Sequence, residues 1–268
     1  MSVKSQKELL LEKLIYELIP SSLQRITKKI LNDKEVGALQ EYANNVSIRR
    51  LGFNDHGPVH MRQVVLNALR MATLLKKAHI SLNMEEEHIG NFEDSLLVLV
   101  ASGMLHDIGM TITRDSHEHY GAWMGAPILT RLLHSHFEDD IAKATIVRSM
   151  MQECIIGHMG TVRIHSLEAG IILIADGCDM EKGRARIPML LNSPSRPGDI
   201  HKYSSSAVER VNIREGKRKP IHIDIEMSES VGFFQVEEVL YPKIDMSPLK
   251  RYVELSAHIR QKDTRFYL

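Results

Sequence analysis

The chain has 268 residues, and Lys+Arg and Asp+Glu balance at 34 each, so its formal net charge is zero. That length can bury a sizeable core, as one large domain or as a main domain with a small one, and the balance excludes a global field that would draw nucleic acid or an acidic membrane surface. The two cysteines, Cys154 and Cys178, lie in apolar segments without CxxC spacing and read as small buried hydrophobes in a reducing cytoplasm.

Helical periodicity dominates to about residue 190. Leu10, Leu11, Leu14, Ile15 and Leu18 recur at helical spacing between charges, which predicts an amphipathic helix over 5–18 rather than a signal peptide. Further helices are predicted over 21–32, 34–46, 58–78, 94–107, 117–134, 138–157 and 166–179. Start signals are Ser21 and Ser22 after Pro20, Asp94, and Ser166 with Glu168 in the first turn. The longest apolar stretch, 95–105, falls well short of the roughly 20 residues that span a bilayer, so no membrane partner and a cytoplasmic location are expected. LLNSPSRPGDIHKYSSS reads as a loop, and AVERVNIREGKRKPIHIDIEMS as a hairpin. QVEEVLYPKI predicts a helix and YVELSAHI a final strand. The expected architecture is mainly α: a helical body over 1–190 and a small α+β appendage over 191–268. So few strands are marginal alone. The appendage should pack on the body or pair with another subunit, and a homodimer is expected.

Most of the 14 histidines fall between residues 56 and 165. In NDHGPVHMRQVV, His56 and His60 stand four residues apart where an apolar helical pattern begins. If the helix includes His56, the two rings share one face. The pair suits two metal ligands, one ligand beside a proton carrier, or a helix start that contains histidines. Further on, His106 and Asp107 follow eleven mostly apolar residues. An adjacent His-Asp pair is weak evidence alone, but such groups are seldom buried unless paired or metal-bound. His60, His117, His158 and Asp176 each lie on or beside a separate apolar helix, and antiparallel helices can aim such residues into one bundle core. Four neutral imidazoles and two carboxylates suit one or two divalent ions such as Mn, Fe, Co, Ni or Zn. His119 rivals His117 for its position. His79, His88, His134, His136, His165, His222 and His258 read as solvated.

The ordered set H…HD…H…H…D, here His60, His106-Asp107, His117, His158 and Asp176, resembles the HD superfamily of metal-dependent phosphohydrolases over roughly residues 50 to 180. Local contexts match: Val64 and Ala68 follow His60, Gly121, Gly125 and Ile128-Leu129 follow His117, and SLEAGIILIADGCDM looks like the family's closing helix. The resemblance implies an HD-type helical bundle. It further implies a first metal held by His60, His106, Asp107 and Asp176, and a second held by His117 and His158 with Asp107 bridging. The GYP signature of the cyclic-di-GMP branch and the HDxGHxPFGH-like run of the dGTP hydrolases are absent, so neither substrate is implied. The whole chain looks like a prokaryotic group of the superfamily. The His56–His60 spacing resembles the HNxxH segment of the class I cyclic-nucleotide phosphodiesterases. Carried over, His60 binds metal and His56 is the general acid that protonates the leaving oxygen. Gly57 stands for that family's Asn, and Met61 and Gln63 for its Ala and Asp, so its substrate does not transfer.

Phosphate needs positive charge near the metals, and DMEKGRARIP supplies Lys182, Arg184 and Arg186 just after Asp176. Arg114 and His201 are weaker candidates. Aromatics make up only 5% of the chain and do not interleave with basic residues, so no nucleic-acid groove is expected. The expected activity is two-metal hydrolysis of a phosphomonoester or phosphodiester of a nucleotide-like small molecule, with Asp107 and His56 catalytic. Two alternatives use the same residues: a di-iron HD-type oxygenase, and a regulator that binds nucleotide or metal without turnover. The intact ligand set argues against the regulator, and the basic loop tilts the reading from oxygenase to phosphoryl chemistry.

Overall fold

The most apolar stretch of sequence becomes the centre of the fold. In the computed structural model, which describes residues 4–138, 140–182, 200–260 and 262–268, every residue from Asp94 to Leu105 is buried. A helix that is apolar all round can only be satisfied by neighbours on every side, and the rest of the body provides them. The helical body runs α1 (Gln6–Leu18), α2 (Ser21–Leu31), α3 (Lys34–Asn45), α4 (Pro58–Lys77), a short α5 (Asn83–Glu86), the central α6 (Phe92–Leu105), α7 (His117–Phe137), α8 (Ile141–Gly157) and α9 (Leu167–Gly177). Helix α6 packs against α2, α4, α7, α8 and α9. All of α9 is buried as well.

Caps explain most of the boundaries. Ser5 and Glu8 form a capping box on α1, Asp33 caps α3, and Ser166 caps α9. The start of α6 lies before the expected Asp94. Asn91 is its cap, and Asp94 is the reciprocal partner three residues in. Helix α8 starts at Ile141 under the Asp140 side chain, not at 138. Helix α4 starts at Pro58, which leaves His56 outside it and corrects the condition under which the two histidines would share a helical face.

Glu168, in the first turn of α9, is fully buried and accepts three hydrogen bonds. The backbone N–H groups of Asn83 and Met84 donate at 3.2 and 3.1 Å, and the Ser95 hydroxyl donates at 2.7 Å. Removing one acceptor would orphan three donors at once. Glu168→Ala should cost about 2–4 kcal/mol in denaturant unfolding, and a loss below about 1 kcal/mol would mean the donors find other partners.

After the body come α10 (Ile200–Ala207), β1 (Val208–Glu215), β2 (Ile221–Met227), α11 (Tyr241–Met246), β3 (Val253–Ile259) and β4 (Lys262–Phe266). The sheet order is β1-β2-β3-β4; β1-β2 and β3-β4 are antiparallel, and β2-β3 is parallel, with α11 in the crossover. The expected hairpin is β1-β2, the expected strand is β3, and QVEEVLYPKI is a π-helical turn running into α11. Two elements differ from expectation. Residues 200–206, read as loop, are helical because Ser204 and Ser205 are small enough to be buried, with Gln235 donating to the Ser204 hydroxyl at 2.8 Å. Strand β4 is exposed along its whole length and lacks the apolar alternation that marks a half-buried strand. The inner face of β2 (Ile221, Ile223, Ile225, Met227) shares one hydrophobic core with the helices. The appendage therefore packs on the body, against α4 and α9. No helix among the described residues is long and apolar enough to cross a membrane.

Candidate metal centre

The two central helices end on the same spot. His106 is the C-terminal cap of α6, with Asp107 next to it, and Asp176 lies in the last turn of α9. His158 caps the C-terminus of α8, while His60 and His117 lie in the first turns of α4 and α7. Three helix C-termini, which carry partial negative charge, and two N-termini, which carry partial positive charge, thus converge on this cluster.

Glycines make the convergence possible. A Cβ on Gly109 would overlap the carbonyl oxygen of His117 and lie 2.6 Å from the Gly121 nitrogen. The short 3₁₀ turn after Asp107 therefore needs a bare backbone to let α7 begin beside it. Gly57 allows the loop carrying His56 to press on Asn44, whose side-chain oxygen accepts the His56 backbone N–H at 3.2 Å.

The six residues form two groups that share Asp107. In the first, His60 Nε2 lies 3.1 Å from His106 Nε2, 3.3 Å from Asp107 Oδ2 and 3.2 Å from Asp176 Oδ1. In the second, His117 Nε2 lies 3.1 Å from His158 Nε2, and these two nitrogens lie 3.0 and 3.3 Å from Asp107 Oδ1. The Nδ1 atoms all point outward. His106 Nδ1–H donates to the Gly103 carbonyl at 2.9 Å, His117 to Arg114 at 2.9 Å, His158 to Ile155 at 2.7 Å, and His60 to the Asp179 carboxylate at 2.6 Å. A carbonyl can only accept, so the proton of each neutral ring is on Nδ1 and the Nε2 lone pair faces inward, the tautomer a metal ligand needs. Lone pairs facing each other at 3.1 Å repel, and a cation between them turns the repulsion into coordination. The cluster can hold a metal ion.

Electrostatics agree with this. Burial alone would raise the Asp107 carboxyl, but the His106 and His56 imidazoles in their protonated form, and the hydrogen bonds that protonated His106 and His117 can then donate, hold it well below the usual carboxylate range. Burial is likewise overcome at Asp176 by the Lys243 ammonium and by His60. Burial pushes His158 down to about 4, which keeps it neutral at physiological pH. At His117 burial also pulls downward, yet the hydrogen bond and charge of Asp107 leave it raised. That corner attracts positive charge, as a proton or as a metal ion. A metal must displace the proton, so its affinity should fall as pH drops through the raised His117 value. The gain in melting temperature on adding metal should therefore grow as the pH rises through and above the ordinary imidazole range. A pH-independent gain would remove His117 from the ligand set.

A relative is known from Methanocaldococcus jannaschii, the uncharacterized protein MJ1020, which is 36% identical to this chain over 250 residues, covering 92% of this chain and 94% of that one. The chain belongs to the MJ1020 family. No family model and no solved structure matches it.

In this MJ1020-family chain, all six expected ligands and His56 come together. His56 sits on the loop before α4 and its Nδ1–H donates to Asp107 Oδ2 at 2.7 Å. Its side chain is 14% exposed and that of Asp176 12%, against at most 2% for the other five, so His56 stands at the rim. His119 points elsewhere, half exposed beside Glu118. Lys182 is exposed, its backbone N–H held by the Val208 carbonyl, while Arg184 and Arg186 lie outside the described residues. Arg114 stacks over Phe53. The side chain of His201 also lies outside the description. Among the histidines expected to be solvated, His136, His222 and His258 are half-buried, the last two on the open face of the sheet near Asp224 and Ser256.

Three contributors were not foreseen. Asp179 orients His60. Buried Glu118 accepts from Thr161 at 2.7 Å and lies 3.5 Å from His117 Nδ1. Lys243 of α11 donates to Asp176 Oδ2 and to the His158 carbonyl. Only Asp179 carried a signal in the sequence, as a carboxylate three residues after an expected ligand.

Proposed function

We propose that this protein is an HD-type phosphohydrolase that uses two divalent transition-metal ions to cleave a phosphomonoester or phosphodiester of a nucleotide-like small molecule. The observation that carries the reading is the division of Asp107, one oxygen toward His60 and His106 and the other toward His117 and His158. A buried carboxylate split between two sets of inward imidazole nitrogens is what a bridging ligand requires. Asp176 completes the first set. Mn, Fe, Co, Ni and Zn all suit this mixture of imidazole and carboxylate donors.

Bound metals supply Lewis acidity, polarising a phosphoryl oxygen and bringing the pKa of water toward neutrality. The chain's own residues do the rest. Asp179 and the carbonyls of Gly103, Arg114 and Ile155 hold the imidazoles in the ligating tautomer. His56, held by Asp107 and Asn44 at the rim, is assigned the role of general acid toward the leaving oxygen. Lys182, Arg184 and Arg186, which follow Asp176 in the chain, are assigned to the substrate phosphate.

The test is a panel of nucleoside monophosphates, cyclic nucleotides and nitrophenyl phosphate esters, offered to metal-loaded and metal-stripped protein. Cleavage by the loaded form alone, restored on adding metal back, supports the reading. Loaded protein that cleaves no ester but consumes dioxygen with an organic substrate would overturn it in favour of an oxygenase.

A further inference from the structure

We infer that Lys243 is a positioning residue of the metal centre, so that the C-terminal unit completes a site otherwise built by the helical body. This rests on the metal-binding reading above. The lysine comes from α11, 67 residues after Asp176. Its ammonium bonds two parts of the centre together: it donates to Asp176 Oδ2, and at 2.9 Å to the backbone carbonyl of His158. With Oδ2 engaged by the lysine, Asp176 turns its other oxygen toward His60 and His106. The carboxylate thus offers one defined atom to the first ion position. The bond to His158 fixes the turn that ends α8.

The slot for this side chain is built into α9. Gly177 directly follows Asp176, and a Cβ there would lie 3.2 Å from Lys243 Cδ and 3.0 Å from Leu240 Cδ1. The lysine stem therefore lies against bare helix backbone and is only 12% exposed. The neighbouring turn is shaped for the same contact. Gly160, at φ +72°, faces Met246 at the end of α11, in a backbone region where an L side chain would be strained.

Coulomb repulsion and positioning predict opposite signs, which makes the inference testable. A lysine beside a cation site repels the cation, so charge alone says that its removal should tighten metal binding. An outer-shell residue that orients a ligand says the reverse, with losses of about 10–100-fold in metal affinity. Metal-stripped wild type and Lys243→Met, which keeps a comparable stem in the slot, are titrated with manganese(II) and fitted to two sites. The expected result is an affinity about 10–100-fold weaker at the Asp176 position, with a smaller change at the His117–His158 position. Unchanged or tighter binding overturns the inference. So does a variant whose metal-free melting temperature falls while the ratio of the two affinities stays put, because that is a lysine that only supports the fold. If Lys243→Met does not fold, Gly177→Ala decides, since it keeps the charge but displaces the stem. It should weaken the same position, and an unchanged affinity there overturns the inference. Wild type that takes up neither manganese(II) nor, in a parallel titration, zinc(II) overturns the metal-centre reading and this inference together, whereas two ions bound equally well by wild type and variant overturn the lysine alone.

Discussion

Asp107→Asn should bind neither metal ion tightly and should lose at least about 10³-fold in turnover, the several kcal/mol that metal ions contribute to a phosphoryl-transfer transition state. The amide keeps the shape of the carboxylate but replaces one charged oxygen with an NH₂ group that has no lone pair to offer. One oxygen of Asp107 serves each group of imidazoles, so one substitution reaches both. In the metal-free protein it also removes the charge that raises His117, leaving that ring to burial, which favours the neutral form. The variant should therefore fold. Elemental analysis after dialysis measures the first effect. A variant that retains both ions at full occupancy would show that Asp107 serves neither group.

His56→Ala should keep both ions and the fold while losing about 10²- to 10⁴-fold on a natural ester with an alkoxide leaving group, the range of general acid help. On a nitrophenyl ester the loss should be much smaller, because that leaving group needs little protonation. The expectation rests on placement. His56 is the most exposed member of the cluster, lies on a loop rather than on α4, and meets Asp107 through Nδ1. It is also close enough to His60 and Asp107 to serve as a further donor to a metal. The two roles separate cleanly: equal losses on both esters, or loss of metal, would make His56 a ligand or a structural residue.

What was legible in the sequence was the chemistry that local context makes anomalous. His106, Asp107 and Asp176 end helices that are apolar on every face, and a titratable group there demands a partner. Antiparallel helix packing then brings His60, His117 and His158 to the same end of the bundle. Lys243 carried no such signal. It is one of 34 basic residues, on a short helix after a π-helical turn, and only the packing of α11 on α9 gives it a role. Helix α10 was hidden by its serines, which favour loops in isolation but are buried here against Gln235. Strand β4 was hidden because an exposed edge strand needs no apolar alternation. His56 was half legible: its proximity to the site followed from spacing, but a loop held by Asn44, not a helical face, delivers it.

The most direct test of the account is the metal content of protein purified without added metal, compared with that of a His117→Ala, His158→Ala double variant. Close to two transition-metal ions per chain are expected in the wild type and one in the double variant, the survivor being the ion held by His60, His106, Asp107 and Asp176. A single ion in the wild type that survives the double substitution unchanged would contradict the bridging role of Asp107.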